Sequence, residues 1–401
     1  MDGPLAGVKV LELGTLIAGP FAARMLAEFG AEVIKVEDPD GGDPLRRWRT
    51  LHEGTSLWWT VQARNKKSVA LNLKDPRACE LARQLALQSD VVIENFRPGV
   101  LEKLGLGYEQ LAGQNPATIM VRLSGYGQTG PMRDRPGFGA IGEAMGGIRH
   151  VTGYPDRPPV RIGLSIGDSI AALHAVIGAL MALRHRDATG GRGRGCGQMV
   201  DVALYESVFN LMESAVPEYD RFGVVRERTG TSLPGIVPSN TYSCRDGAAI
   251  VVGGNGDAIF KRLMTAIGRP DLAADPQLAR NDGRVPRAAE IDSAIQHWCS
   301  GQPIERALAE LEQAQVPASR IYSVADMLVD PQFTARAMIE QHALADGTPL
   351  KVPAVIPKLS QTPGATRWLG PALGQHTDEV LESLGVDRVQ IDRLRRDGAI
   401  R

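Results

Sequence analysis

The sequence predicts an α/β fold: a doubly wound parallel sheet in a large domain, with a smaller α/β domain beside it. Three observations carry this. β-prone runs alternate with helical spacings over the first ~125 residues. The chain has 401 residues, more than one core usually holds at ~150 residues per domain. Hydrophobic residues make up 43% and aromatics only 5%, the balance of cores built from Ala, Leu, Val and Ile rather than of aromatic-rich sandwiches.

The elements follow in order. Val8 to Leu13 is a β-prone run ended by Gly14. Phe21 to Phe29 has helical spacing, Gly30 stops it, and Ala31 to Glu37 is a second strand, which completes a βαβ unit. Ser68 to Leu73, Asp90 to Glu94 and Thr118 to Leu123 read as further strands, with a helix from Asp75 to Gln88. Between Gly125 and Gly167 lies a stretch rich in Gly, Pro and Arg with no predicted element. Long ordered loops in compact domains carry function, so the site is sought there. A helix from Ser169 to Arg186, a basic glycine-rich turn, a strand from Met199 to Leu204 and a helix from Tyr205 come next. Regularity fades from Phe222 to Pro238. A second α/β segment then offers a strand at Ala248 to Val252, the loop Gly253 to Gly256, and helices near Asp257–Ile267, Ala288–Ser300 and Pro303–Ala314. Beyond Asp330 come Pro-rich strands and a helical pair around Thr377–Leu384 and Arg388–Arg396.

Composition removes several function classes. The 45 Lys+Arg balance 46 Asp+Glu, so no broad basic field exists to collect nucleic acid or an anionic membrane. Four dispersed cysteines supply neither a disulfide framework nor a CxxC zinc site, and the chain reads as reduced and cytoplasmic. Asp2 stands where a signal peptide would carry positive charge. The most apolar stretch, Ile170 to Leu183, falls short of the ~20 residues that cross a bilayer and reads as a buried helix. No P-loop, HExxH, GxSxG or EF-hand pattern occurs, and seven histidines show no metal-ligand spacing. The first βα turn, Gly14-Thr-Leu-Ile-Ala-Gly19-Pro20, lacks GxGxxG, and Pro20 removes an amide that a pyrophosphate would need.

Asp168 stands out, following Gly167 and preceding a small-residue helix. An Asp there is first of all an N-cap, accepting backbone N–H bonds. The same placement favours its charged form through the helix dipole, which is what a carboxylate nucleophile needs.

Several segments together resemble one family: Pro4 to Leu13, Asp90-Val-Val-Ile-Glu-Asn-Phe-Arg-Pro-Gly99, Leu123-Ser-Gly-Tyr-Gly-Gln-Thr-Gly-Pro131, Arg135-Pro-Gly-Phe138, Gly167-Asp168 and Gly197-Gln-Met-Val-Asp201. They are similar to the class III CoA-transferases, the formyl-CoA transferase and carnitine CoA-transferase family, over almost the whole chain. The resemblance implies a Rossmann-like large domain from both chain ends and a small α/β domain from the middle. Residues 1–205 and 326–401 would form the large domain, 206–240 a linker and 241–325 the small one. It further implies a homodimer of interlocked rings, acyl-CoA and small carboxylic acids as substrates, and no tightly bound cofactor or metal. By the same analogy Asp168 is the covalent nucleophile. The CoA site would include Ile17, Ala18, Leu71, Asn72, Lys74, Asn95, Phe96, Arg97, Lys103, Arg133 and Arg135.

Formyl-CoA transferases can carry Gln and Arg where this chain has Ile17 and Asp38, which places oxalate recognition through that glutamine in question. Related 2-methylacyl-CoA racemases have Gly-His where this chain has Gly137-Phe138, and phenylalanine cannot exchange a proton. Transferase therefore ranks above racemase, and above a non-catalytic acyl-CoA-binding protein. Arg47, Arg64 and Arg161 are the arginines whose forks would meet a distal carboxylate. The pattern looks most like the branch that pairs succinyl-CoA with dicarboxylic acceptors.

Overall fold

Lys9–Glu12 (β1), Glu32–Glu37 (β2), Lys66–Ala70 (β3), Val91–Glu94 (β4), Ile119–Ser124 (β5) and Met199–Ala203 (β6) form one six-stranded sheet in the computed structural model, which describes residues 3–401. Every pairing in it is parallel, and the order is β3-β2-β1-β4-β5-β6. Parallel sheets are covered on both faces, which is why β4 and β5 are buried at every position. The order runs outward from β1 in both directions. The carboxyl ends of β1 and β4 therefore flank the reversal point where doubly wound sheets bind ligands.

The helices that cover the sheet follow from composition. Ala18–Glu28 (α1), Pro76–Gln88 (α2), Gly139–Met145 (α3), Ile166–Ala188 (α4) and Leu204–Phe209 (α5) belong to the same unit. On one face Ala22, Ala23 and Ala27 of α1 share a core with Ala171, Ala172, Ala175 and Ala179 of α4 and with Val10 and Val121 of the sheet. On the other, Leu81 and Leu85 of α2 join Leu11, Val69 and Leu71. Two late helices, here α9 (Thr377–Ser383) and α10 (Arg388–Arg396), bring Leu381 and Ile391 to that second core. Leu71 forms an antiparallel bridge with Ile400.

The chain divides into two units: residues 1–148, 162–213 and 335–401, and residues 149–161 and 214–334. The second contains an antiparallel sheet of Ser239–Ser243 (β7), Ala249–Gly253 (β8) and Ala318–Arg320 (β9), packed with Asp257–Ala266 (α6), Ala288–Ser300 (α7) and Ile304–Gln313 (α8). Its two outer strands escape the sequence pattern because they are short and only partly buried. Residues 149–161 group with this unit, not with the large one where the sequence reading put them.

Two helices differ from expectation near the site. The stretch read as all loop contains α3, and α4 begins at Ile166, three residues before the expected start. At 23 residues α4 is long and apolar enough by length and composition to cross a bilayer, so length no longer excludes a span; its alanine face, however, is packed into the core.

Candidate active site

Asp168 is the third residue of α4, inside its first turn, and not the N-cap. The cap position belongs to Ser165, whose side chain makes no capping bond. A carboxylate in a first turn still faces the positive end of the helix dipole. The half-buried side chain lies against α3: a Cβ built on Gly139 would collide with Oδ2 and come 2.6 Å from Cγ. Gly167 also approaches closely, since its Cβ would sit 2.9 Å from the Gly139 carbonyl oxygen. One step back, a Cβ on Gly137 would lie 2.8 Å from the Gly125 Cα. The loop leaving β5 is thus pressed onto the segment entering α3, whose first residue receives the Asp168 carboxylate. Buried Glu143 borders the same turn, its Cγ 3.0 Å from where the Gly167 Cβ would be; no sequence motif marked it.

At the reversal point, the β1–α1 loop is held by side chains at nearly every backbone group. Lys35 Nζ donates to the Gly14 carbonyl at 2.7 Å. Asn95 accepts from the Thr15 N–H and donates to the Thr15 carbonyl, both at 2.8 Å. Leu16 sits in the left-handed region at φ 66°, and its N–H points at both Asp43 oxygens at 3.1 Å. Gln62 caps the Ile17 carbonyl at 3.0 Å. A leucine in that conformation is uncommon and persists only where its surroundings over-determine it.

The surroundings are ionic. Lys35 bridges Glu12 at 2.7 Å and Asp43 at 2.9 Å; Lys66 also pairs with Glu12, at 2.6 Å. Arg46 and the Ser68 hydroxyl hold Glu37. All of these groups are buried. Burial disfavours the ammonium of Lys35, yet Asp43, Glu12 and Glu37 outweigh it and its pKa rises. For Lys66 burial wins over the attraction of Glu12, Lys35 adds repulsion, and the pKa falls to about 8. Burial likewise opposes ionisation of Asp43 and Glu37, but Lys35 and backbone amides, and Arg46 with Lys35, lower their pKa values. Sequence reading missed this network because Lys35, Lys66 and Asp43 look like solvated strand-end and loop charges.

In the chain, the residues expected to bind CoA all come after the carboxyl ends of β1, β3, β4 and β5. Ile17 and Ala18 are buried at the start of α1. Asn95 has both amide ends on Thr15, and half-buried Phe96 donates its N–H to Glu94 at 2.8 Å, so both shape the loop. Arg97, Lys103, Lys74, Arg133 and Arg135 are exposed. Asn72 accepts from the Lys74 N–H at 3.1 Å. Leu71 requires correction: its side chain is buried in the second core and its N–H is bonded to Glu37, which leaves no contact surface.

Of the three arginines, Arg64 is corrected as well. It is buried, with Nε on Glu28 at 2.6 Å and Nη1 on the Pro353 carbonyl, and ties a partner carboxylate rather than a ligand. Arg47 is exposed and donates to the Gly41 carbonyl at 2.9 Å. Arg161 is exposed in the second unit. Among the described residues, His52, Glu53 and Asp346 form one group whose ligand-type atoms lie within 4.8 Å, built around a 2.7 Å His52–Asp346 contact.

Relatives fit this site. A succinyl-CoA–D-citramalate CoA-transferase from Chloroflexus aurantiacus is 51% identical over 382 residues, covering 95% of this chain and 94% of that protein. The β subunit of a succinyl-CoA–L-malate CoA-transferase from the same organism is 43% identical over 405 residues, 98% of this chain and 99% of that one. The crystal structure of a CAIB/BAIF family protein from Brucella suis matches with a TM-score of 0.82 at 34% identity, covering 96% of this chain and all of that chain. The profile of CoA-transferase family III runs from residue 5 to residue 377, through every strand of the parallel sheet and the glycine-walled carboxylate at Asp168. With that span matched and half its residues shared with an enzyme that moves CoA, the chain belongs to CoA-transferase family III.

Proposed function

We propose that this CoA-transferase moves CoA from succinyl-CoA to a small dicarboxylic acid, with Asp168 as the covalent nucleophile. The observation that carries the reading is the carboxylate in the first turn of α4, set in a glycine-walled recess at the carboxyl edge of the sheet. The citramalate and malate relatives support the substrate class.

In the first step an Asp168 oxygen attacks the thioester carbonyl and expels CoA thiolate, leaving a mixed anhydride. The thiolate attacks the aspartyl carbonyl, expels succinate and forms an enzyme–CoA thioester. The acceptor carboxylate attacks that carbonyl and releases the thiolate again. Thiolate attack on the acceptor carbonyl then forms the new thioester and restores the Asp168 carboxylate. One thioester is exchanged for another of similar energy, so no energy input is required. Backbone amides of the glycine-rich loops would stabilise each oxyanion. The exposed Arg97, Lys103, Lys74, Arg133 and Arg135 would meet the CoA phosphates, and Arg47 the distal carboxylate.

We also infer a homodimer of interlocked rings, acting as a soluble cytoplasmic enzyme. The outer face of α4 exposes Leu173, Ile177, Leu180 and Met181 at 42–66%, an apolar stripe suited to a second copy. Light scattering at the dimer mass is the expected result. A monomer would remove this part of the reading, and the β-subunit relative makes a mixed pair the outcome to compare with.

The test of function is a panel of succinyl-CoA with citramalate, malate, glutarate and itaconate, read by mass spectrometry. Transfer to at least one of these acids is expected, with kcat at least ~10³-fold lower in a folded Asp168→Asn. Full activity of that variant would overturn the nucleophile.

A further inference from the structure

α3 and its C-cap carry three glycines, Gly139, Gly142 and Gly146, and they face different neighbours. A Cβ on Gly142 would come within 2.8 Å of Leu204 Cβ and 3.1 Å of its backbone; one on Gly146 would meet the Tyr205 carbonyl oxygen at 2.7 Å. These two let α3 lie directly on α5. Gly139 is different: the three atoms nearest its absent Cβ are all in the Asp168 side chain. Nor is Gly139 among the glycines of positive φ, so its backbone conformation is open to any residue. The first atoms a side chain at 139 would strike are those of the carboxylate, not the backbone of a packed helix.

We propose that Gly139 is a positioning residue for CoA transfer: the space left by its missing side chain holds the Asp168 carboxylate and fixes its direction. The inference rests on Asp168 as nucleophile and adds what orients it. A methyl group at 139 meets the free end of a side chain rather than backbone. Asp168 would answer by rotating to another staggered χ1 well, which leaves the fold intact and aims the nucleophile elsewhere. A displacement of about 1 Å at a reacting group costs on the order of 10²-fold in rate.

The experiment compares Gly139→Ala, Gly142→Ala and Gly163→Ala in the full-length protein. Gly163 has open space around its absent Cβ and serves as the neutral control. For Gly139→Ala we expect kcat lower by at least ~10²-fold with KM for succinyl-CoA within about threefold, and a melting midpoint within ~2 °C of wild type. Gly142→Ala should lose stability instead. Wild-type kcat in Gly139→Ala, alongside an inactive Asp168→Asn, would overturn the role of Gly139 and leave the nucleophile standing. Full activity in Asp168→Asn would overturn both. Should Gly139→Ala not fold, the double variant Gly139→Ala/Asp168→Ala decides. Recovered folding locates the clash at the carboxylate and supports the proposal; continued failure makes Gly139 a backbone requirement and overturns it.

Discussion

Two loops at the same edge of the sheet are fixed by opposite means. The β1–α1 loop is held by added charge: Lys35, Asp43 and Asn95 grip consecutive backbone groups and hold Leu16 in a left-handed conformation. The Asp168 turn is held by subtraction, with Gly139 and Gly167 removing the atoms that would displace it. The first arrangement makes rigidity depend on buried ion pairs, so its failures should appear in stability. The second costs little to fold and sets only where a side chain points, so its failures should appear in turnover.

Removing Lys35 should produce the largest stability loss. Lys35→Met leaves Asp43 without its ammonium and Glu12 with Lys66 alone, and breaking such a buried pair costs about 3–5 kcal/mol. Urea unfolding measures it; a loss below ~1 kcal/mol would dissolve the contrast between the loops. Asp43→Asn keeps one acceptor for the Leu16 amide and loses the charge, so about 1–3 kcal/mol is expected. Among molecules that stay folded, KM for the acyl-CoA should rise more than kcat falls.

The smallest effects are in pH dependence. Asp43 and Glu37 have folded pKa values below their unfolded ones, so their stabilisation is present above ~4 and lost as pH falls through the depressed values. Asp43→Asn should therefore flatten the acid limb of a stability profile. Lys66 works the other way. With a folded pKa of about 8 against ~10.4 unfolded, the unfolded chain binds more protons between those values, so this group makes stability rise with pH there. Lys66→Met should remove that rise, measured as urea midpoints from pH 8 to 10. A profile unchanged by Lys66→Met would mean that Lys66 stays charged in the fold.

Much of the large unit could be read from alternation and punctuation. β1, β2 and β4 are short β-prone runs bounded by Gly14, Gly30 and Asp90, and burial concentrates Val, Leu and Ile in them. α3 was not legible because Gly139 and Gly142, with Gly146 as its C-cap, give it the composition of a loop; close packing on α5 and Asp168 overrides that propensity. Asp168 was found by the motif Gly167-Asp168, and its place in the helix was misjudged by three residues because Ile166 and Gly167 look like the end of a loop. Arg64 and Leu71 look like ligand contacts in the sequence, since neither charge nor position in sequence says whether a side chain points to the core. The ionic network could not be seen at all, as its members lie on three strands and in the segment after β2, which only the fold brings together.

The return of the late residues to the sheet has a consequence for how the protein is made. The Ala70 amide donates to the Thr377 hydroxyl across 307 residues, and the edge strand β3 is covered by helices from that same late segment. At ~5–20 residues per second, the ribosome exposes β3 on the order of 15–60 s before its cover emerges. Until then the core that holds Val69 and Leu71 lacks Val380, Leu381, Ile391 and Leu394. The cover of β3 is thus supplied late, after an interval set by the spacing of Ala70 and Thr377 along the message.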